Sequence, residues 1–367
     1  MRGARPLSRV PVAVPPVRRF VQEVFATLTR AEQRRWAEVY VRGLLFVPGR
    51  KSIPRIAGTV VDRRVEQSLQ QFVNQSPWRW EPVRRDLAHR VAAGLRPHAW
   101  VVEEVVLPKN GTGSVGVANQ RAHSLGRALN CQLGLAVFLR NDERACAVNW
   151  RLFLPKSWGD DPARRARARV PDGEVHRPRR HHLFDALDEM TGEWGLPPAP
   201  VLLDGRAEPR LDALLDGLES RRLTYVVRVG AESVGRVLPV RPVLRTARYT
   251  VSAPLPDRPG PVPPTYSLWR PRRVLTAWSP DRRRPLAAWL TNAPPARLPE
   301  LVRTIEPAPW GEHLNQLYED YGLRHFEGRS FTGWHHHVTL VAAAHAHHEL
   351  RRAEGRPACA AVLPRNA

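Results

Sequence analysis

Cysteine and long apolar runs are scarce in this chain, and their scarcity excludes several classes of protein. The three cysteines, Cys131, Cys146 and Cys359, form no CxxC pair, which leaves neither a disulfide framework nor a zinc knuckle. No stretch approaches the roughly 18 uncharged apolar residues that a membrane span needs. The N-terminus meets prolines where a secretion signal has an apolar core. These absences predict a protein of the reducing cytoplasm that has no membrane partner.

Lysine is also nearly absent, although the chain is strongly basic. Only Lys51, Lys109 and Lys156 occur among the 57 basic residues, and the formal net charge is +22. At neutral pH such a surface attracts polyanions, and nucleic acid first among them. The excess of arginine, together with 36 prolines, also suits a high-GC coding bias. Charge alone therefore leaves two explanations open, of which we favour nucleic-acid binding.

The N-terminal part of the chain has a helical pattern. Thr29 and Glu32 have the spacing of a capping box, and the apolar residues behind them, beginning at Trp36, recur at helical spacing. Ser76 and Pro77 predict a break between two later helices. We therefore expect an all-helical domain here, preceded by a proline- and arginine-rich arm without periodicity.

The middle of the chain changes to strands and then alternates helix with strand. Strands are predicted over Trp100–Leu107, Gln132–Leu139 and Ala145–Leu154. Apolar strands ending at Leu203 and Val229 follow, and each is preceded by a predicted helix. Three antiparallel strands followed by β-α-β elements is the ribonuclease-H-like order. The sequence thus predicts an α/β fold, a ribonuclease-H-like mixed sheet flanked by helices, with an N-terminal helical domain and a β-rich insertion.

The patterns divide the chain into six predicted segments. They are a disordered arm (1–17), a helical DNA-binding domain (18–95), the first part of the ribonuclease-H-like core (96–230), a β-rich insertion (231–295), C-terminal helices that complete the core (296–352) and a disordered tail (353–367).

Four separated segments resemble the insertion-sequence DDE transposases when they are taken in order. They are WVVEEVVLPKNGTGSVGV (Trp100–Val117), NWRLFLPKSW (Asn149–Trp158), VLLDG (Val201–Gly205) and GLRHFEGRSFTGWHHHVTL (Gly322–Leu340). The resemblance implies metal-dependent DNA cleavage and strand transfer at the ends of a mobile element, with Mg²⁺ or Mn²⁺ as cofactor. It also implies double-stranded DNA as partner and a homo-oligomer on the DNA ends.

The resemblance assigns an acidic triad, which in this family holds two divalent ions. The first acid falls on Glu104, with Glu103 as its neighbour, the second on Asp204 and the third on Glu312. Strand alternation allows only one of the two adjacent glutamates to face the metals. Glu104 is preferred because it matches the second aspartate of the family's pair. The helix that carries Glu312 has an uncertain register, and an acid later in the same helix remains an alternative.

The first acidic motif departs from the family pattern. Paired aspartates followed by Thr-Gly are usual there, whereas this chain has Glu103, Glu104, Val105 and Val106. Glutamate adds one methylene, and Mg²⁺ demands near-ideal octahedral geometry. The departure predicts reduced catalysis. The alternative function is therefore a catalytically impaired or domesticated transposase-derived DNA-binding protein.

Five basic residues are predicted to contact DNA. They are Arg79, Arg84, Arg85, Lys109 and Lys156. The first three flank Trp78 and Trp80, and the competing interpretation is that these tryptophans cap the helical core while the arginines are solvated.

Two further patterns are interpreted as structural. The glycine-rich segment after Lys109 lacks the Lys-Ser/Thr ending of a P-loop and predicts a hairpin turn. The histidines between His335 and His348 have no cysteine partners and no HExxH motif, so a helix face packed on the core is favoured over a zinc site.

Overall fold

The computed structural model describes residues 15–61, 65–230, 240–245, 249–254, 272–281, 283–294, 297–305 and 312–355. Residues 1–14 of the predicted arm and 356–367 of the predicted tail lie outside this part. Only the backbone is described for residues 240–245 and 249–254 and for Pro15, Leu298, Leu301, Arg303, Thr304 and Glu312.

The N-terminal segment is helical, as the sequence predicts. Its helices are α1 (Pro15–Val24), α2 (Ala31–Phe46), α3 (Ile53–Val60), α4 (Glu66–Asn74) and α5 (Trp80–Leu95). The predicted break falls correctly between α4 and α5. Two details are wrong: residues 15–17 belong to α1 and not to the arm, and α2 is capped by Arg30 without a side-chain hydrogen bond, so Thr29 forms no capping box.

Within the described residues, ten strands form one mixed sheet. The strands are β1 (Ala99–Pro108), β2 (Ala118–Ala122), β3 (Arg127–Arg140), β4 (Ala145–Leu152), β5 (Val201–Asp204), β6 (Tyr225–Val229), β7 (Val240–Arg245), β8 (Tyr249–Pro254), β9 (Arg273–Trp278) and β10 (Pro285–Thr291). Their order is β2-β3-β1-β5-β6-β10-β9-β8-β7, and β4 pairs with β3.

The pairing directions identify the core. Strands β1, β3 and β4 are antiparallel, whereas β5 and β6 add to β1 in parallel. Helix α8 (Leu211–Ser220) connects β5 with β6, because parallel neighbours need a crossover. This is the predicted ribonuclease-H-like order. The predicted β-rich insertion also contains strands that extend the sheet, since β10 pairs with β6.

Helices cover both faces of the sheet. The remaining helices are α6 (Pro162–Ala168), α7 (Arg179–Asp188), α9 (Leu298–Ile305), α10 (Glu312–Glu319) and α11 (Phe331–Ala353). Helix α11 contacts α1, α2, α4, α5 and β4, and α7 contacts β3 and β4. Buried apolar side chains from the N-terminal helices, the sheet and α11 belong to one continuous cluster. The N-terminal helices therefore pack directly on the core.

Candidate active site

Three charged residues lie next to one another at the carboxyl ends of the parallel strands. The β1–β5 pairing ends at Val102 and Leu203, directly before Glu103 and Asp204. On the other side of β5, Asp204 is the register partner of Arg228 in β6. Register partners in a parallel pair project from the same face, and neighbouring strands are about 4.8 Å apart. Glu103, Asp204 and Arg228 therefore form a row on one face, which we call the acid face.

Helix α10 packs on the acid face. The ring of His313, its second residue, lies 5.7 Å from the ring of Phe138. Phe138 is the register partner of Val101, which shares a face with Glu103. Near the other end of α10, the Tyr318 hydroxyl accepts a hydrogen bond of 2.9 Å from the Val106 amide. The helix that begins at Glu312 is thus fixed beside β1, while the Glu312 side chain lies outside the described residues.

Glu104 lies on the opposite face, in different surroundings. Its carboxylate forms an ion pair with Arg179 at the start of α7. It also accepts hydrogen bonds from the Ser124 amide, at 2.8 Å, and the Ser124 hydroxyl, at 2.7 Å. These contacts hold the turn between β2 and β3 against β1. Continuation of the β1–β5 register puts Glu103, and not the preferred Glu104, on the face of Asp204; which glutamate would hold an ion stays a prediction.

Glu103 and Asp204 differ in their exposure. Glu103 is buried, with 6% of its surface exposed, whereas the Asp204 side chain is 33% exposed. The Arg206 guanidinium contacts both Asp204 oxygens, at 2.9 and 2.6 Å. Burial alone would raise the pKa of Asp204, but the hydrogen bonds from Arg206 and the charges of Arg206 and Arg228 outweigh it and lower the pKa.

The acid face carries two of the three acidic residues that a divalent-ion site of this kind would need. Glu103 and Asp204 each follow the last register pair of adjacent parallel strands, and such a position can bring carboxylates distant in sequence to one ion. Among the residues whose side chains are described, no group of three His, Cys, Asp or Glu could hold a metal ion. Glu312, which the resemblance assigns as the third acid, has no described side chain.

A family model described as DDE superfamily endonuclease matches residues 23–310. The chain belongs to this family. Enzymes of the DDE superfamily generally use divalent metal ions. No curated protein matches the chain. Among solved structures, the chain is similar to a piggyBac transposase synaptic complex with hairpin DNA, with a TM-score of 0.44 and 11% sequence identity, covering 95% of this chain and 76% of that chain.

One of the five basic residues predicted to contact DNA in this DDE endonuclease is wrongly assigned. Arg84 is 1% exposed. Its guanidinium donates to the Thr339 hydroxyl at 2.8 Å, the Trp150 carbonyl at 3.0 Å and the His335 carbonyl at 3.2 Å. Burial lowers the pKa of Arg84 to about 9. Arg84 therefore joins α5, β4 and α11 inside the core and cannot reach DNA.

The other four basic candidates differ in their surroundings. Arg79, Arg85 and Lys156 are exposed. Lys109 is partly buried and donates to the Phe326 carbonyl at 2.8 Å, which ties the glycine-rich segment to the loop before α11. DNA contact by these four residues remains a prediction.

The histidines of α11 are packing residues. The ring of His336 stacks on Trp78 with centroids 3.7 Å apart, and that of His335 stacks on Trp80 at 4.5 Å. Trp78 is buried. The interpretation of the two tryptophans as part of the helical core is thus confirmed for Trp78.

Sequence reasoning missed both arginines beside Asp204. Arg206 follows the acid by two residues, and Arg228 is the one charged residue in the apolar strand Tyr225–Val229. A charge within a buried parallel strand is unusual, and this was the signal that could have singled out Arg228.

No described helix is long and apolar enough to cross a membrane.

Proposed function

We propose that this DDE endonuclease cleaves DNA at the ends of a mobile element and joins the cleaved strand to a target. The observation that carries the proposal is that Glu103 and Asp204 each directly follow the last register pair of the adjacent parallel strands β1 and β5, Val102 and Leu203. Family membership supports the class of reaction, and the net charge of +22 supports DNA as the partner.

Glu103, Asp204 and Glu312 are the residues that would hold the divalent ions, Mg²⁺ or Mn²⁺. Two such ions activate the attacking oxygen and stabilise the leaving oxygen of a phosphodiester. Glu104 has a positioning role in this proposal, because its carboxylate fixes the β2–β3 turn through Ser124 and Arg179.

The surface that faces DNA is proposed to include Arg79, Arg85, Lys109 and Lys156. A homo-oligomer assembled on the DNA ends remains part of the proposal, because two ends must be brought together before strand transfer.

Cleavage of the element's own ends tests the proposal. Duplexes that carry the inverted repeats flanking the coding sequence are incubated with the full chain and Mg²⁺ or Mn²⁺. Strand breaks at the repeat ends that vanish in Asp204→Ala support the function. Tight binding of these ends without cleavage in either ion would instead identify a DNA-binding protein with an inactive catalytic domain.

The altered first motif can be examined in the same assay. Glu103→Asp shortens the side chain by one methylene and restores the residue type usual in the family, so we expect faster cleavage. An unchanged rate would show that the longer carboxylate does not limit the reaction.

A further inference from the structure

We propose that Arg206 and Arg228 together form a site for one phosphodiester of DNA beside Asp204, and that Arg206 exchanges the Asp204 carboxylate for this phosphate when a divalent ion is bound. This inference rests on the proposed function, since it concerns the same acid face. We call the two residues the arginine pair.

The backbone fixes Arg228 close to Asp204. The two residues are register partners in β5 and β6, and the next amide, that of Gly205, donates to the Arg228 carbonyl at 2.9 Å. A Cβ at Gly205 would lie 2.4 Å from Val227 and 3.1 Å from the Arg228 carbonyl oxygen. Glycine therefore permits the close approach of the two strands, and Arg228 is held on a rigid element.

The second arginine reaches the same place from a turn. The Arg206 amide and guanidinium both donate to Asp204, with the shortest contact at 2.6 Å. Its side chain is 49% exposed, so the ion pair is open to water. A divalent ion on the Asp204 carboxylate would compete with Arg206 for the same two oxygens, and the exposed Arg206 side chain could then turn to another anion.

Two guanidinium groups act on Asp204. Arg206 donates hydrogen bonds to its carboxylate, and the charge of Arg228 also lowers its pKa. Burial and the charge of Arg206 both lower the pKa of Arg228, and the Asp204 charge opposes them. A divalent ion on Asp204 would add further positive charge, so an anion is then needed at this position.

A phosphodiester of DNA satisfies that need. Guanidinium groups bind phosphate oxygens through paired hydrogen bonds, and Arg228 projects one strand, about 4.8 Å, beyond the second acid. A phosphate held there lies next to the ion site. Binding of the ion and binding of DNA should therefore be positively coupled. The ion displaces Arg206 from Asp204 and frees it for the phosphate, and the phosphate holds Arg206 away from the carboxylate that the ion needs.

The chain offers a matched control for Arg206. Asp281 and Arg283 have the same spacing as Asp204 and Arg206, and the Arg283 amide likewise donates to the aspartate, at 3.2 Å. Arg283 lies in the β9–β10 turn, with its side chain 88% exposed. Arg283→Gln removes one exposed arginine from an Asp-x-Arg turn without touching the acid face.

The first measurement is the salt dependence of DNA binding. The full chain and its variants are titrated with a blunt duplex of arbitrary sequence, in EDTA and in Mn²⁺. Loss of one phosphate contact lowers the slope of log affinity against log salt by about one. We expect this change for Arg228→Gln in both conditions and for Arg206→Gln only in Mn²⁺. Arg228→Lys, which keeps the charge, and Arg283→Gln should retain the full slope.

The second measurement is Mn²⁺ affinity without DNA, by calorimetry. Arg206→Gln removes the ion pair that competes with Mn²⁺ for Asp204, so its Mn²⁺ affinity should rise about two- to fivefold. The Mn²⁺ affinity of Arg283→Gln should not change. Duplex DNA should raise the Mn²⁺ affinity of the unaltered chain but not that of Arg206→Gln. Thermal unfolding confirms that each variant is folded.

The outcomes separate the two proposals. Equal salt slopes for Arg228→Gln and Arg283→Gln overturn the phosphate site, and unchanged Mn²⁺ affinity in Arg206→Gln overturns the exchange. If Asp204→Asn has the same Mn²⁺ binding as the unaltered chain, the proposed ion site itself is wrong and the exchange is rejected with it. The slope for Arg228→Gln still decides whether DNA phosphate binds there.

Discussion

At the scale of single residues, Glu103 and Glu104 show how one step along a strand changes a side chain's role. Glu103 is buried on the acid face, next to Asp204. Glu104 binds Ser124 and Arg179 on the other face. Two chemically identical neighbours therefore give opposite expectations when they are substituted.

Glutamine substitutions at the two positions separate these roles. We expect Glu103→Gln to lose Mn²⁺ binding, because it removes a charged ligand. Glu104→Gln should retain Mn²⁺ binding but expose the Ser124 amide to faster hydrogen exchange, since a neutral amide holds Arg179 and Ser124 less strongly. The measurements are calorimetry and hydrogen exchange by mass spectrometry. Loss of Mn²⁺ binding in Glu104→Gln alone would contradict the assignment.

Arg84 supports a second prediction at this scale. Arg84→Met fills similar volume but leaves the Trp150 carbonyl and the Thr339 hydroxyl, both in the core, without their donor. We expect urea unfolding to show a loss of about 1–3 kcal/mol. The salt slope of DNA binding should stay unchanged, since Arg84 is enclosed in the core. A reduced slope in folded Arg84→Met protein would return Arg84 to the DNA-binding surface.

At the scale of elements, helix α11 makes stability depend on pH. Burial lowers the pKa of His337 and His345 to about 3 and that of His347 to about 4. In the unfolded chain these groups titrate near 6.5. Below that pH the unfolded state binds more protons than the folded state, so stability is lost as pH falls.

Chemical denaturation across pH tests this prediction. The free energy of unfolding should be constant above about pH 7 and should fall between about pH 6.5 and 4, with uptake of more than one proton. Replacing His345, whose ring contacts Tyr321 at 5.1 Å, with phenylalanine should make the fall shallower. Equal stability at pH 7 and pH 5 would show that these histidines are not held neutral.

Periodicity predicted most elements of the core, but not which face each residue occupies. Strands β1, β3 and β4 and the break at Ser76 follow from the local sequence pattern. The short β2 was missed because Ala118–Ala122 has no apolar alternation, with only Ala122 buried. Helix α6 was not predicted in the arginine-rich segment between β4 and α7, where Asp161 caps the helix by accepting from the Arg164 amide at 2.8 Å.

The sequence singled out the acidic residues of the candidate site, but it did not predict which of them lie on the same face of the sheet. Asp204 stands at the end of an apolar strand, which the sequence shows directly. The choice between Glu103 and Glu104 depends on the register of β1 against β5, which joins residues about one hundred positions apart. Arg84 was misassigned because a buried arginine and an exposed one have the same local sequence pattern until its partners in β4 and α11 are known.

At the scale of the whole molecule, the net charge of +22 has two explanations, a DNA-binding surface and a high-GC coding bias. A surface that binds phosphates releases counterions, so its affinity for duplex DNA should fall at least about tenfold between 50 and 200 mM salt. Fluorescence anisotropy with a labelled duplex measures this. A flat salt profile would mean that the arginines are dispersed and do not form a DNA-binding surface.

The central claim is that Glu103 and Asp204 belong to one ion site on the acid face. Anomalous diffraction at the manganese edge, from crystals of the full chain soaked in Mn²⁺, tests it most directly. The account predicts a manganese peak coordinated by carboxylate oxygens of both Glu103 and Asp204, absent in Asp204→Asn crystals. A peak bound by Glu104 without Glu103, or well-ordered crystals with manganese bound only away from Asp204, would contradict it.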